Sequence, residues 1–335
     1  MTQLEYNLNT KKELKFHGGK FRILTFSDIH GIKNTDPRLT RDIAAVIDGC
    51  KPDLVLFIGD QVWHDGAKDE NSLRSVLDAA VSPIENAKIP WAHVFGNHDE
   101  EGGYPKEEQQ KVYEKYEYCI SKTGPLEIHG TGNYVLPVKS SDGKRIAYNV
   151  WCIDSGRDLR DFLRDNGLES DYKKALPENH MFHAQTYDCI RFDQMMWYWN
   201  SSKELEEYNG GKIPALAVFH EALPEFSEVC LNREESGYIG NKRENIGCGP
   251  VDSGLFAEFL QRGDVKTVIC GHDHINDFEG TYLGIKMAMD GGMSYDGYCD
   301  DDIRGGRIVD IDENDAWNVR TYMVRSSDFV KDYRK

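Results

Sequence analysis

Five short stretches of the sequence end in residues that bind metal ions or move protons: SDIHG at 27–31, GDQV at 59–62, GNHDE at 96–100, FHE at 219–221 and GHDH at 271–274. Singly, several have ordinary structural uses. Asp28 and Asp60 can cap the turn that leaves a strand, and His220 alone reads best as a hydrogen-bonded core histidine. GNHDE asks for more, because Asn97, His98 and Asp99 in a row offer a neutral oxygen ligand, an acid–base group and a carboxylate able to orient it. GHDH places two imidazoles in one short loop, which gives two ligands at little entropic cost. Together, Asp28, His30, Asp60, Asn97, His220, His272 and His274 supply imidazole nitrogens and hard oxygens, with no thiolate among them. That mixture suits Mn, Fe, Zn or Co better than calcium or copper(I). The set is too large for one ion. Two ions about 3.5–4 Å apart, sharing one bridging carboxylate, fit it.

Such a site exists only if the fold gathers the five stretches. All follow apolar, β-rich runs: FRILTFSDIHG (21–31), PDLVLFIGDQ (52–61), PWAHVFGNHDE (90–100), IPALAVFHE (213–221) and VKTVICGHDH (265–274). RIAYNVWCIDSG (145–156) is a sixth run that ends in Asp154 without a histidine. Bounded apolar runs of this length predict strands. Between them, RLTRDIAAVIDGC (38–50), NSLRSVLDAAVSPIENA (71–87), KEEQQKVYEKYEYCISK (106–122) and DCIRFDQMMWYWNSSKELEEY (188–208) carry helical periodicity, with a break expected at Pro83. The aromatic cluster MMWYWN (195–200) reads as helix core. Strand–helix alternation predicts an α/β fold with much parallel pairing. In open α/β sheets ligands collect beyond the carboxyl ends of strands, and all five stretches fall there. One shared site is the economical explanation.

Beyond residue 275 the pattern changes to short strands and turns, read as the β-rich C-terminal part (275–335) of one domain spanning 1–335, with 1–20 as an N-terminal extension. The stretches 156–187, 222–250 and 290–306 are loop-rich and are expected to wall the pocket. The chain has 335 residues, 39% of them hydrophobic, and a formal charge of −17. That charge argues against long nucleic acids as partners. A phosphorylated substrate would need strong local positive charge, which bound metal ions can supply. No apolar run approaches the ~20 residues of a membrane span, and the N-terminal stretch has no apolar signal-type core, so a cytoplasmic location is expected. The eight cysteines are scattered with no CxxC pair, which argues against a zinc knuckle or a disulfide scaffold. Cys152 and Cys270 read as small core residues.

In order along the chain, SDIH, GDQV, GNHD, FH and GHDH resemble the calcineurin-like metallophosphoesterase superfamily, whose signature runs D-x-H, G-D, G-N-H-[DE], H and G-H-x-H. More narrowly, GDQVW, FGNHDE, FHEALPEF and GHDHINDFEG are similar to the small purple-acid-phosphatase-like proteins of plants and fungi. The resemblance implies a four-layer αββα sandwich, two mixed β-sheets flanked by helices. It implies two divalent or trivalent transition-metal ions, one on Asp28, His30, Asp60 and His274, the other on Asp60, Asn97, His220 and His272, with Asp60 bridging. His98 would stand beside the substrate phosphate as general acid or transition-state stabiliser, with Asp99 holding its ring.

The implied activity is hydrolysis of phosphate esters by metal-activated hydroxide, on a phosphorylated small molecule or phosphoprotein. Phosphomonoesters are expected first, with nucleotides, cyclic nucleotides or small diesters as the alternative. A non-catalytic metal-binding scaffold for protein partners is the rival of another class. Purple enzymes carry tyrosine where this chain has Trp63 and glycine where it has His30. An indole cannot ligate iron, so a colourless protein is expected. Trp63, His64, His93, His129, His180, His183, Glu221 and Asp273 are candidates for shaping the site, although single histidines and aromatics are more often structural.

Overall fold

Alternation along each strand decides the layering. In β3 (Leu54–Ile58), Leu54, Leu56 and Ile58 face one apolar layer while Val55 and Phe57 face another, and all five are buried. The computed structural model describes residues 2–168, 187–331 and 333. Its five-stranded sheet runs in the order β12 (Arg320–Arg325), β11 (Gly305–Asp312), β2 (Lys20–Phe26), β3 and β4 (Trp91–Val94). The seven-stranded sheet runs β1 (Leu14–Lys15), β5 (Tyr134–Lys139), β6 (Ile146–Cys152), β7 (Ala215–Val218), β8 (Val265–Cys270), β10 (Ile285–Met289) and β9 (Glu279–Tyr282).

Both sheets are mixed. β2, β3 and β4 are parallel, with β11 antiparallel to β2. β6, β7, β8 and β10 are parallel, with β5 and β9 antiparallel at their flanks. One apolar layer lies between the sheets, built from residues such as Ile23, Leu56, Val94, Leu136, Val150, Leu216 and Ile269. A second joins the five-stranded sheet to the helices Pro37–Cys50 and Glu70–Ala87. The third joins the seven-stranded sheet to Phe192–Asn209 and Leu255–Arg262. Helix, sheet, sheet and helix therefore stack as the sandwich the motifs implied. Trp197 and Tyr198 of MMWYWN pack edge-on against Trp151 at 5.6 and 5.0 Å, as helix core. The first twenty residues supply β1, and the stretch after 275 supplies strands to both sheets. Among the described residues, no helix is long and apolar enough to cross a membrane.

Three helices depart from their expected bounds, the one expected over 188–208 by starting only at Phe192. Pro83 does not break its helix, which continues to Ala87. Proline removes the N–H that would bond the carbonyl four residues earlier. That carbonyl, on Ala79, instead accepts from the Thr40 hydroxyl of the neighbouring helix at 2.6 Å. Thr40→Val keeps the shape and removes the donor, and is expected to lower stability by about 1 kcal/mol, measured by urea unfolding. The helix begun at Lys106 stops at Tyr113 instead of running to 122. The following chain bonds the edge of β4, with Trp91 N donating to the Tyr118 carbonyl at 3.0 Å and Ile120 N to that of Trp91 at 2.8 Å. Covering an open sheet edge outweighs continued helical periodicity.

Candidate metal centre

SDIHG, GDQV and GNHDE leave the carboxyl ends of β2, β3 and β4, while FHE and GHDH leave those of β7 and β8. The centre therefore straddles the seam between the two sheets. The exits are tight: Asp28, His30, Asp60 and His272 all have positive φ, between 51° and 73°. Side chains in this left-handed region cost of order 1–3 kcal/mol each and persist where surrounding bonds dictate them. Here Asp28 N donates to the Gly59 carbonyl at 3.2 Å, and His30 N to that of Asp60 at 2.9 Å. Two glycines are demanded by the seam itself. A Cβ on Gly59, φ +81°, would lie 2.2 Å from His220 Nδ1, and one on Gly271 would lie 1.8 Å from Ser27 Oγ.

The seven proposed ligands converge as two triads, Asp28–His30–His274 and Asp60–His220–His272, with Asn97 beside the second. Asp28 Oδ1 lies 3.3 Å from His274 Nε2 and 3.6 Å from His30 Nε2. Asp60 Oδ2 lies 3.1 Å from His220 Nε2 and 3.4 Å from His30 Nε2, so it stands between the triads. Asn97 Oδ1 is 3.1 Å, and His272 Nδ1 3.3 Å, from His220 Nε2.

These residues fit metal ions on a direct observation. Asp28 Oδ1, Asp60 Oδ2 and both His30 ring nitrogens are buried without a hydrogen-bond partner, a costly state for polar atoms. Their other atoms are held in place. Asp28 Oδ2 accepts from Ser27 Oγ at 2.6 Å and His272 N at 2.9 Å, and Asp60 Oδ1 accepts from His98 N at 2.9 Å. His220 Nδ1 donates to the Ile58 carbonyl at 2.9 Å and His274 Nδ1 to that of Tyr298 at 2.6 Å, which turns each Nε2 toward the centre. Three aromatic rings buttress the imidazoles: Trp63 on His30 at 5.3 Å, Tyr187 on His272 at 4.2 Å and Tyr298 on His274 at 3.9 Å.

Electrostatics follow from this crowding. Burial opposes charge on His220, but Asp60 and then Asp28 outweigh it and raise its pKa to about 10. Burial likewise opposes charge on His274, and Asp28 raises it to about 9. His272 is pushed down to about 3 by burial and by His220. Burial alone would raise Asp28 and Asp60, yet the neighbouring imidazoles hold both below the usual carboxylate range.

His98 borders the first triad, its ring 5.0 Å from that of His30. Asp99 does not hold it, contrary to what the motif implied. The Asp99 carboxylate is fully buried and accepts from Gly96 N at 2.7 Å, Val62 N at 3.0 Å and Asp60 N at 3.1 Å, tying the GNHDE turn to the GDQV turn. Burial, then the Asp60 charge, raises its pKa to about 7. The ring partner is Glu101, whose Oε1 accepts from His98 Nδ1 at 2.7 Å while Oε2 lies 3.5 Å from His64 Nδ1. Adjacent residues in a tight turn point apart, so the acid three positions on reaches the ring. The run Asp99–Glu100–Glu101 was the signal available in the sequence.

Three of the remaining candidates have structural partners. His93 stacks on Tyr113 at 3.6 Å, His129 pairs with Asp193 at 2.7 Å, and Asp273 accepts from Gly247 N at 2.9 Å and Asn276 Nδ2 at 2.8 Å. Glu221 is buried with neither carboxylate oxygen hydrogen-bonded. His180 and His183 lie outside the described residues, as does most of the loop 156–187.

Comparison with known proteins identifies the family and the fold. The calcineurin-like phosphoesterase family matches residues 21–276. "Probable inactive purple acid phosphatase 29" of Arabidopsis thaliana is 31% identical, over 91% of this chain and 80% of that protein. "Phosphatase DCR2" of Saccharomyces cerevisiae is 29% identical, over 78% of this chain and 45% of its own. Among solved structures, a dimetal phosphatase from Danio rerio superposes with a TM-score of 0.57 at 11% identity, over 86% of this chain and 92% of that one. GAP50, described as the anchor in the inner membrane complex of Plasmodium, gives 0.53 at 13% identity, over 93% and 86%. By sequence and by architecture, the chain belongs to the calcineurin-like phosphoesterase family.

Proposed function

We propose that the protein is a two-metal phosphohydrolase acting on phosphomonoesters. The observation that carries this reading is the convergence of two ligand triads with the Asp60 carboxylate between them. There Asp28 Oδ1, Asp60 Oδ2 and both His30 ring nitrogens are buried without a hydrogen-bond partner, and an imidazole, His98, is held at their edge. Asp28, His30, Asp60 and His274 would hold one ion and Asp60, Asn97, His220 and His272 the other, and Mn, Fe, Zn or Co ions there would lower the pKa of the attacking water and neutralise the phosphoryl oxygens. His98, with Nδ1 committed to Glu101, keeps Nε2 free to give a proton to the leaving oxygen. Relatives named as phosphatases support the monoester, and a phosphorylated small molecule or phosphoprotein is the substrate class. The eight cysteines are all free, which supports a reducing, cytoplasmic setting.

A second reading has a specific support. The Arabidopsis relative is named inactive and the Plasmodium neighbour an anchor, so a metal-binding scaffold for protein partners is the rival. The intact ligand set and the His98–Glu101 pair favour catalysis. The test is hydrolysis of p-nitrophenyl phosphate and its bis-ester by the purified chain with Mn²⁺, Fe²⁺, Zn²⁺ or Co²⁺. Monoester cleavage, abolished by a chelator and restored by the ion, is expected, with no visible charge-transfer band after iron loading. Two bound ions with no turnover on either ester would leave the scaffold.

A further inference from the structure

The turn that follows the last pair of histidines is sewn to a distant strip of chain. Asp273 Oδ1 accepts from Gly247 N at 2.9 Å, Asn276 Oδ1 from Arg243 N at 2.8 Å and Glu244 N at 3.1 Å, and Asp277 Oδ1 from Asn241 N at 2.6 Å. Ile275 N returns a bond to Glu244 Oε1 at 2.8 Å. The polar side chains of GHDHIND that are not candidate ligands are thus committed to residues 241–247.

That strip also grips a second loop. Arg243 Nη1 reaches Asp300 at 2.7 Å and Asp302 at 2.8 Å, and its Nη2 reaches Asp302 at 2.7 Å. Glu244 Oε2 accepts from the Tyr298 hydroxyl at 2.8 Å. Tyr298 in turn is the residue whose carbonyl takes the His274 Nδ1 proton and whose ring lies on that imidazole, nearly parallel at 10°. No helix or strand spans 290–304, so side-chain bonds of this kind set where the Tyr298 carbonyl sits. A continuous path runs from Arg243 and Glu244 through the 298–302 loop to one imidazole of the first triad.

We propose that Arg243 and Glu244 are positioning residues for His274, and that this clasp sets how tightly the first triad retains its ion independently of the second. The inference rests on the two-metal reading above. Partners that orient a ligating imidazole are worth about 10–100-fold in metal affinity. A lone exposed ion pair would contribute little. Here the guanidinium spans two carboxylates in a forked geometry that lysine cannot reproduce.

The test uses the full chain loaded with Mn²⁺, desalted, and followed by metal analysis during challenge with a weak chelator. The wild-type chain is expected to hold two ions. Arg243→Ala combined with Glu244→Ala should release one ion about tenfold faster and keep the other at the wild-type rate. Arg243→Lys and Tyr298→Phe should accelerate the same ion less. Repeating the release in a His272→Ala background, where only the first triad is complete, identifies that ion. The melting temperature of the chelator-stripped chain should fall only slightly, because the lost bonds lie outside the core. Unchanged release in every variant overturns the proposal. Equal acceleration of both ions with a much lower stripped melting temperature also overturns it, since that marks a general structural role. A wild-type chain that binds no Mn²⁺ overturns the two-metal reading itself, and the clasp with it.

Discussion

His98→Ala should slow p-nitrophenyl phosphate hydrolysis by about 10²–10⁴-fold, the usual worth of a positioned proton donor, with metal content still two ions per chain. The selectivity follows from the backbone. His98 contributes its N–H to Asp60 Oδ1, and alanine keeps that bond, so the triads should be undisturbed. The imidazole is itself 29% exposed and bonded to Glu101, not to a candidate ligand. Glu101→Gln should lower the rate by a smaller factor, because an amide oxygen still accepts from Nδ1. Turnover measured beside metal analysis separates the outcomes. A wild-type rate in His98→Ala would mean that the leaving oxygen takes its proton elsewhere.

Loading the metal-free chain at pH 7 should release about two protons per chain. His220, at about 10, and His274, at about 9, both hold their protons at neutral pH in the folded metal-free state. An ion needs the bare nitrogen. Metal affinity should therefore fall about tenfold per pH unit for each such proton on acidification. Calorimetry in two buffers of different ionisation enthalpy counts the protons. A count near zero would show that the imidazoles are already neutral.

Stability has its own window. Both folded values lie above the unfolded value of 6.5, so the stabilisation these two groups give is fully present below pH 6.5. It is lost as pH rises through 9 to 10. Asp28 and Asp60 act in the opposite sense. Their folded values are depressed, so their contribution is present above the ordinary carboxylate pKa and is lost in acid as pH falls through the folded values. The metal-free chain should accordingly melt lower at pH 10 than at pH 6.5, and metal loading should remove that difference.

The strands that carry the site were legible because they are buried on both faces, as β3 and β7 are throughout, and so read as unbroken apolar runs. Their polar ends then stood out. Periodicity did not reveal that the strands divide between two sheets; the family resemblance supplied that. β5 escaped notice because Pro137 sits inside it, a residue that argues against a strand. It is tolerated where β1 reaches only Val138 and Lys139 and the sheet edge is otherwise open. The continuation of a helix through Pro83 depends on Thr40, on a different helix. The exchange of Asp99 for Glu101 at the His98 ring depends on which way consecutive side chains leave one turn. Neither relation is local enough for a pattern in the sequence to report it.

The seam between the sheets gives the ligand set a mechanical meaning as well. Asn97 follows a strand of one sheet and His220 a strand of the other, 123 positions apart along the chain. An ion gripping both closes a loop of more than a hundred residues. Cross-linking a loop of that size is worth about 4–5 kcal/mol in chain entropy on the model used for disulfides. Stripping such ions would thus remove a reversible tether along with a reagent. On the two-metal reading, the stripped chain keeps the shared apolar layer and the bonds that cross the seam, His220 Nδ1 to the Ile58 carbonyl and His272 N to Asp28 Oδ2. It loses the tether, so metal supply would govern how long the folded chain survives as well as how fast it turns over.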